Sequence, residues 1–193
     1  MRKLSHVFAS IVFALLLCLG AAPMALGCAF HAALEVELDS MYPGSFPVAV
    51  ALRAAADSGV IDAAALEAPG AGTAAYADSV RRLQEFRNAL AASPAAAQLP
   101  SSFSLGFVES RLWSRYSQSG SEIRVDIHTD GPVEGEAVVL TGEPVLTELL
   151  AGRLSVEYAL TQGMILIDAN DDKKTAIHHA LKATSMANRI SRR

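Results

Sequence analysis

The chain has 193 residues, 51% of them hydrophobic, and a formal net charge of −4. This length suits one domain of ordinary size. The excess of 20 acidic over 16 basic residues argues against a nucleic-acid partner, which requires a clustered basic face.

The first 27 residues predict a secretory signal peptide. Arg2 and Lys3 provide a basic start, an apolar run follows, and small residues occupy positions −3 and −1 before Cys28. Pro23 interrupts the apolar run, which argues against a retained transmembrane helix, since such a helix needs about 20 unbroken apolar residues. We therefore expect an exported, periplasmic bacterial protein.

Cys28 would be the sole cysteine of the mature chain, so an intramolecular disulfide is excluded. Its position directly after the cleavage site favours acylation of its sulfur, as in a bacterial lipoprotein anchored to a membrane. The usual lipoprotein box has Leu at −3, whereas Leu26 lies at −2 here. A free or partner-linked thiol is an alternative.

A metal site is the other alternative for Cys28. The spacing Cys28-x-x-His31 places a thiolate and an imidazole close enough for a soft ion such as Cu(I) or Zn(II). Two ligands do not complete a site, so others would come from His128, from the His178-His179 pair or from a partner protein.

The mature chain is predicted to form an N-terminal tether, 28–45, and a single α+β domain, 46–193. The domain has a helical half, 46–92, and a sheet-bearing half, 101–193. The helical half contains a helix at 47–58, a short helix or turn at 61–67, and a long helix at 73–92. The long helix carries an apolar stripe predicted to face the core: Tyr76, Val80, Leu83, Phe86 and Leu90.

A Pro- and Ser-rich connector at 93–102 leads to four short strands. Apolar and polar residues alternate over 103–107 and 123–127, while 112–116 and 136–140 are rich in β-formers. The whole stretch 103–140 is predicted to form an antiparallel meander.

Two short helices and a closing strand follow the meander. Gly152 is predicted to end the first helix in a left-handed conformation, Ser155 to cap the second, and Gly163 to end it. The uninterrupted apolar run 164–167 is typical of a strand covered on both faces. A last helix is predicted over 172–191, acidic at its start and basic at its end, as the helix dipole favours.

This stretch resembles the sterol-carrier-protein type of lipid-binding domain over roughly residues 100–168. The shared pattern is a Leu-rich helix, a Gly, a short helix with a central Ala, another Gly and a closing strand. It is carried by Leu140-Thr141, Leu149-Leu150-Ala151-Gly152-Arg153-Leu154, Ala159, Gly163 and 164–167. The chain departs from the family at Asp168-Ala169-Asn170, where a Gly-Asp pair is usual. The helices of 47–92 have no counterpart, and the family is typically intracellular.

The resemblance implies an apolar cavity that binds an acyl or sterol-like chain. The residues it would place on the cavity wall are Phe103, Leu105, Phe107, Leu146, Leu149, Leu150 and Met164. The alternative is that these side chains fill each other's space as an ordinary core.

The last helix has a basic side that can lie on an anionic membrane surface, formed by Lys174, His178, Lys182 and Arg189. Alternatively, its apolar side docks on the domain and its basic side faces water.

No catalytic motif and no cofactor-binding motif is recognised, so an enzyme is not favoured. The predicted function is an exported, membrane-anchored binding protein for an apolar ligand, a lipid or a periplasmic partner's apolar segment. The alternative is a periplasmic accessory factor that handles metal or thiols through Cys28 and His31.

Overall fold

A five-stranded sheet organises the computed structural model, which describes residues 39–67 and 73–190. All elements below belong to one compact unit, which begins at Met41. The strands are β1 (Ser102–Phe107), β2 (Leu112–Ser119), β3 (Glu122–Ile127), β4 (Ala137–Thr141) and β5 (Leu166–Asp168). Their order in the sheet is β3-β2-β1-β4-β5.

The helices flank this sheet and confirm the predicted α+β class. They are α1 (Ser45–Asp57), α2 (Ala64–Glu67), α3 (Thr73–Ala91), α4 (Glu143–Leu150), α5 (Val156–Thr161) and α6 (Asp171–Ile190), with a 3-10 turn at Ala96–Gln98. Within the described ranges, no helix combines the length and apolar character that crossing a membrane requires.

The direction of β4 corrects the predicted meander. Strands β1, β2 and β3 pair antiparallel as predicted, but β4 pairs parallel with β1, with Phe107 opposite Thr141. The connection 128–136 carries the chain from the β3 edge to the far side of β1. Alternating apolar residues reveal which face of a strand is buried but not its direction, which is why the pattern did not predict this pairing.

One face of the sheet packs against α3 through an aromatic cluster. Tyr116 stacks on Phe103 with ring centroids 4.9 Å apart and meets Phe86 edge-on at 5.3 Å. The Tyr116 hydroxyl donates to the backbone carbonyl of Leu83 at 3.2 Å. These contacts bury the centre of the sheet on the helical side.

The opposite face is covered by the segment that precedes α1. A Cβ at Gly106 would come within 2.8 Å of the Trp113 ring and 2.9 Å of Met41 Cε, so only glycine leaves room for both side chains. The Tyr42 hydroxyl donates to Asp168 Oδ2 at 2.6 Å. The last residues of the predicted tether, 41–45, therefore belong to the compact unit.

Tyr76 was predicted to face the core and does not. It is 46% exposed, whereas Leu83, Phe86 and Leu90 of the same stripe are at most 1% exposed. The Tyr76 ring lies 6.2 Å from that of His128, which follows β3. The first turns of α3 thus lie beside the solvated end of β3 rather than over the core.

The corner between α4 and α5 confirms the turn predictions. Gly152 and Gly163 have φ of 68° and 73°, and the Ser155 hydroxyl oxygen accepts the Tyr158 N–H. The corner fixes α4 and α5 against the end of β4, where the Thr141 hydroxyl donates to the Met164 carbonyl at 3.0 Å.

Helix α6 docks on the domain with its apolar side. Ile177, Ala180 and Leu181 are at most 4% exposed. On the polar side, Lys182 Nζ lies 2.7 Å from Glu157 Oε1 of α5. This arrangement matches the docked alternative for the last helix.

Candidate functional site

The seven residues predicted to line an apolar cavity are all buried. Phe103, Leu105 and Phe107 lie on one face of β1, Leu146, Leu149 and Leu150 on α4, and Met164 precedes β5. Their exposure is between 0 and 9%, and none of them borders any of four surface clefts that the described residues form. A ligand among them would require α4 to move away from the sheet, and their role stays a prediction.

The residues predicted for acylation and metal binding, Cys28 and His31, lie outside the described residues. His128 is exposed, and the His178 and His179 ring centroids are 6.1 Å apart. Within 39–67 and 73–190, no three His, Cys, Asp or Glu side chains are grouped so as to hold a metal ion.

A cleft of about 420 Å³ lies between α2, α3, α4 and the turn that links β1 to β2. We call it the polar cleft because ionisable groups dominate its wall. The residues used below are Ser79, Arg82, Glu109, Glu143, Glu148 and Arg153.

The parallel pairing of β1 with β4 creates the centre of the polar cleft. Because the two strands run in the same direction, the chain leaves both at the same edge of the sheet. The Val108 N–H donates to the Thr141 carbonyl at 3.0 Å, which continues the ladder to this edge. Glu109 then follows β1, and Glu143 opens α4 after β4.

Glu109 caps α4 from a distant segment. Its Oε1 accepts the Glu143 N–H at 2.5 Å. The residue at the N-cap position is Gly142, which has no side chain to fill this role. On the other side, the Ser79 hydroxyl of α3 donates to Glu143 Oε2 at 2.5 Å. The helix start is thus connected by hydrogen bonds to both β1 and α3.

Burial raises the pKa of Glu109 to about 7. Backbone N–H groups of Glu109 and Glu143 oppose this shift, and the nearby Glu143 carboxylate adds to it. Glu109 therefore changes protonation state near neutral pH. A buried carboxyl with a displaced pKa in a cleft is a typical feature of a functional site.

The arginines around the polar cleft already have carboxylate partners. Arg153 forms two hydrogen bonds of 2.6 Å with Glu148, and Arg82 Nη1 lies 3.0 Å from Glu85 Oε2. Two atoms of cleft-lining residues lie beneath the cleft surface and have no hydrogen-bond partner among the described residues: Arg82 Nε and Glu109 Oε2. One is a donor and the other is an acceptor when Glu109 is ionised.

A second depression, of about 890 Å³, adjoins the polar cleft. We call it the corner groove because it opens between the loop after α1 and the α4–α5 corner. Its apolar wall consists of Val60, Ile61, Leu154 and Tyr158. Ile61 and Leu154 are nearly buried, whereas Tyr158 is 44% exposed.

The corner groove and the polar cleft share three wall residues, Asp62, Glu148 and Arg153. The two depressions are therefore neighbours on the surface, one with an apolar wall and the other with a polar wall. Such a combination suits an amphipathic molecule.

No motif in the sequence marked Glu109, Arg82 or the wall of the corner groove. The available signal was an acidic residue directly after the buried run 103–108 and another directly after β4. It becomes informative only if β4 is taken as parallel to β1, because antiparallel strands would place the two acids at opposite edges.

No protein-family model and no curated protein matches the chain. Among solved structures, sterol carrier protein 2 is 18% identical with a TM-score of 0.40, covering 54% of this chain and 94% of that one. A conserved hypothetical protein from Thermus thermophilus, described as possibly a sterol carrier protein, is 17% identical with a TM-score of 0.32, covering 53% and 76%.

A stereoselective inverting sec-alkylsulfatase from Pseudomonas sp. is 14% identical with a TM-score of 0.36 over 47% of this chain. The chain spans only 14% of the length of that enzyme. The resemblance to sterol carrier proteins seen in the sequence is confirmed as a weak likeness. Evidence for a ligand therefore has to come from the residues of this chain.

Proposed function

We propose that the protein binds a lipid-like molecule, with the apolar chain of that molecule lying in the corner groove. The observation that carries this proposal is an exposed Tyr158 beside Ile61 and Leu154 in a depression that shares wall residues with a polar cleft. Each methylene of a bound chain that leaves water contributes about 0.8 kcal/mol. The groove volume is within the range of small-molecule sites, roughly 300–1,000 Å³.

Uptake of a fluorescent fatty acid by the purified domain tests the proposal. Tyr158→Ser and Val60→Ser reduce the apolar wall, and each is expected to weaken binding by roughly five- to tenfold. Tyr76→Ser is the matched control, because Tyr76 is exposed to a similar extent, 46% against 44%, and lies outside the groove. Absence of uptake, together with a bare mass in native mass spectrometry of protein purified from its host, would contradict lipid binding.

The same experiment distinguishes two locations for the acyl chain of the bound fatty acid. Binding that survives Tyr158→Ser and Val60→Ser would exclude the corner groove. It would favour the space between β1 and α4, where the seven residues predicted from the sequence lie. The readout is then hydrogen exchange of α4, Glu143–Leu150, which should accelerate if the helix moves to admit the ligand.

We also propose that the protein is exported and anchored to a membrane by acylation of Cys28. The support is the signal-peptide pattern of the first 27 residues and the position of Cys28 after it. Two acyl chains hold a protein stably on a bilayer, whereas one is marginal. A lipid-binding groove would then operate next to its source of ligand.

Labelled palmitate tests the anchor. The expected result is label on the wild-type protein in a bacterial host and a soluble, unlabelled Cys28→Ala variant. An unlabelled wild-type protein released by osmotic shock would show that Cys28 remains a thiol.

A further inference from the structure

We propose that protonated Glu109 holds the first turn of α4 against the domain, and that this turn is released when Glu109 loses its proton. The inference goes beyond the proposed lipid binding and does not depend on it. It concerns the contact between Glu109 and Glu143 and the apolar side chains that this contact keeps covered.

The start of α4 depends on a contact from outside the helix. Its N-cap residue, Gly142, has no side chain, and the 8 residues of α4 are too few for a helix that is stable on its own. Glu109 Oε1 supplies the missing acceptor for the Glu143 N–H. The first turn carries Val145 and Leu146, which are at most 2% exposed. Release of this turn would therefore expose apolar side chains beside the polar cleft.

The carboxyl group of Glu109 is buried at this contact, although the residue as a whole is half-buried. Its second oxygen, Oε2, has no hydrogen-bond partner among the described residues. A Cβ at Gly142 would lie 3.3 Å from Oε2 and 2.9 Å from both Leu52 methyl carbons, so this oxygen lies at the α4 start beside Leu52 of α1. A neutral carboxyl costs less there than a carboxylate, whose charged oxygen would have no donor.

The charges around Glu109 do not compensate for its ionisation. The other charged residues of the polar cleft are Glu143 and Glu148 of α4, Asp78, Arg81 and Arg82 of α3, and Asp62 and Arg153. Each of these three arginines has a carboxylate partner, respectively Asp78 for Arg81, Glu85 for Arg82 and Glu148 for Arg153. Burial is the main cause of the raised pKa of Glu109, and the carboxylate of Glu143 adds to it.

The direction of the pH dependence follows from the two states of Glu109. Its pKa is about 7 in the closed state, in which it caps α4, against 4.5 for a glutamate in water. When Glu109 turns toward water, its proton passes to the solvent at a lower pH than in the closed state. Opening therefore becomes more favourable as the pH rises from 4.5 to 7 and changes little above about 7.

Histidine is the other side chain that changes charge in this pH range. His178 lies on α6, which packs against α4, and its Nε2 is buried without a hydrogen-bond partner in the part of the chain that the structure describes. It would gain a charge on acidification, so any opening that it caused would grow as the pH falls. The direction of the change therefore distinguishes Glu109 from His178.

Hydrogen exchange at the Leu146 amide measures the opening, because this N–H donates to the Gly142 carbonyl across the first turn of α4. Its protection factor, corrected for the intrinsic exchange rate, is expected to fall roughly 40-fold from pH 5 to pH 7. The Leu105 amide of the central strand β1 reports global unfolding. Dilute urea should accelerate exchange at Leu105 and leave exchange at Leu146 nearly unchanged, because a local opening exposes little surface.

Variants assign the opening to Glu109. Glu109→Gln keeps the shape of the side chain and cannot ionise, so the protection of Leu146 should no longer vary with pH. Glu143→Gln removes the neighbouring negative charge, so the fall in protection should level off at a lower pH. Glu134→Gln, at an exposed position outside the cleft, and His178→Gln should retain the wild-type fall.

Protection of Leu146 that stays constant from pH 5 to 7, or that falls equally in Glu109→Gln, overturns the inference. If Glu109→Gln does not fold, an unchanged pH course in Glu143→Gln overturns it. Exchange at Leu146 with the same urea dependence as at Leu105 also overturns it, because the α4 start would then open only with the whole domain. Since no ligand is present, none of these outcomes bears on lipid binding.

Discussion

Glu109 Oε1 accepts a hydrogen bond from the backbone N–H of Glu143 at 2.5 Å, although 34 positions separate the two residues. The bond connects the end of β1 to the first residue of α4 and satisfies one of the free N–H groups at that helix end. A carboxylate there also benefits from the helix dipole, yet burial outweighs this effect and keeps the pKa of Glu109 high. The hydrogen bond of this cap is short, and its contribution to the stability of the fold depends on pH.

Glu109→Gln is expected to alter how stability depends on pH. The folded-state pKa of about 7 exceeds the ordinary value of 4.5, so the folded protein holds this proton longer than the unfolded chain does. Stability of the wild-type protein relative to the variant should fall as pH rises from 4.5 to 7, by on the order of 3 kcal/mol. Urea unfolding at several pH values measures it.

The exposed Glu134 provides the control for this prediction. Glu134→Gln removes the same kind of side chain without affecting the cleft, so it provides the reference curve with which the Glu109→Gln curve is compared. Parallel curves for Glu109→Gln and wild type would contradict a buried, proton-holding Glu109.

Gly142→Ala tests how tightly the α4 start is packed. A Cβ at Gly142 would lie 2.9 Å from both Leu52 methyl carbons and 3.3 Å from Glu109 Oε2. The substitution should cost about 1–3 kcal/mol through overpacking. Leu52→Ala alone should cost about 2–5 kcal/mol, because it opens a cavity.

A double-mutant cycle decides whether the contact with Leu52 is the cause. The added Cβ would occupy space vacated by the Leu52 methyl groups, so Gly142→Ala with Leu52→Ala should cost clearly less than the sum of the single changes. Strict additivity in chemical denaturation would assign the cost of Gly142→Ala to another contact.

Local patterns in the sequence predicted those features that depend on neighbouring residues. Gly152 and Gly163 ended their helices because their positions required positive φ, and Ser155 capped α5 through its own hydroxyl. Helix boundaries likewise followed from apolar periodicity.

Features that depend on which distant segments meet were not predictable in the same way. The alternation of apolar and polar residues does not reveal the parallel pairing of Phe107 with Thr141, since either strand direction buries the same face. Without the parallel pairing, nothing in the sequence places Glu109 next to Glu143, and these two residues form the centre of the polar cleft. The prediction that Tyr76 faces the core was wrong for a related reason. Apolar periodicity shows which face of α3 is buried, but not how far the sheet beneath the helix extends.

Tyr116 is expected to be a main contributor to the core. It is 1% exposed, stacks on Phe103 and meets Phe86 edge-on. Tyr116→Ala should cost about 3–5 kcal/mol, as removal of a buried aromatic ring does. Tyr116→Phe retains the ring contacts and loses only the bond to the Leu83 carbonyl, so it should cost about 1 kcal/mol. Equal costs in thermal unfolding would show that the hydroxyl, not the ring, matters.

Tyr42→Phe tests whether the segment before α1 is fixed to β5. Burial, followed by the hydrogen bond to Asp168, raises the pKa of Tyr42 from 10.0 to about 12. The wild-type protein should therefore lose stability relative to Tyr42→Phe as pH rises from 10 to 12, because the unfolded chain ionises first. Ultraviolet titration measures the ionisation of the tyrosine in the folded protein. Urea unfolding across this pH range measures the stability. Tyr76→Phe, at an exposed position, is the control. A stability difference between wild type and Tyr42→Phe that stays constant from pH 10 to 12 would contradict the raised pKa of Tyr42, and with it both the burial of the hydroxyl and its bond to Asp168.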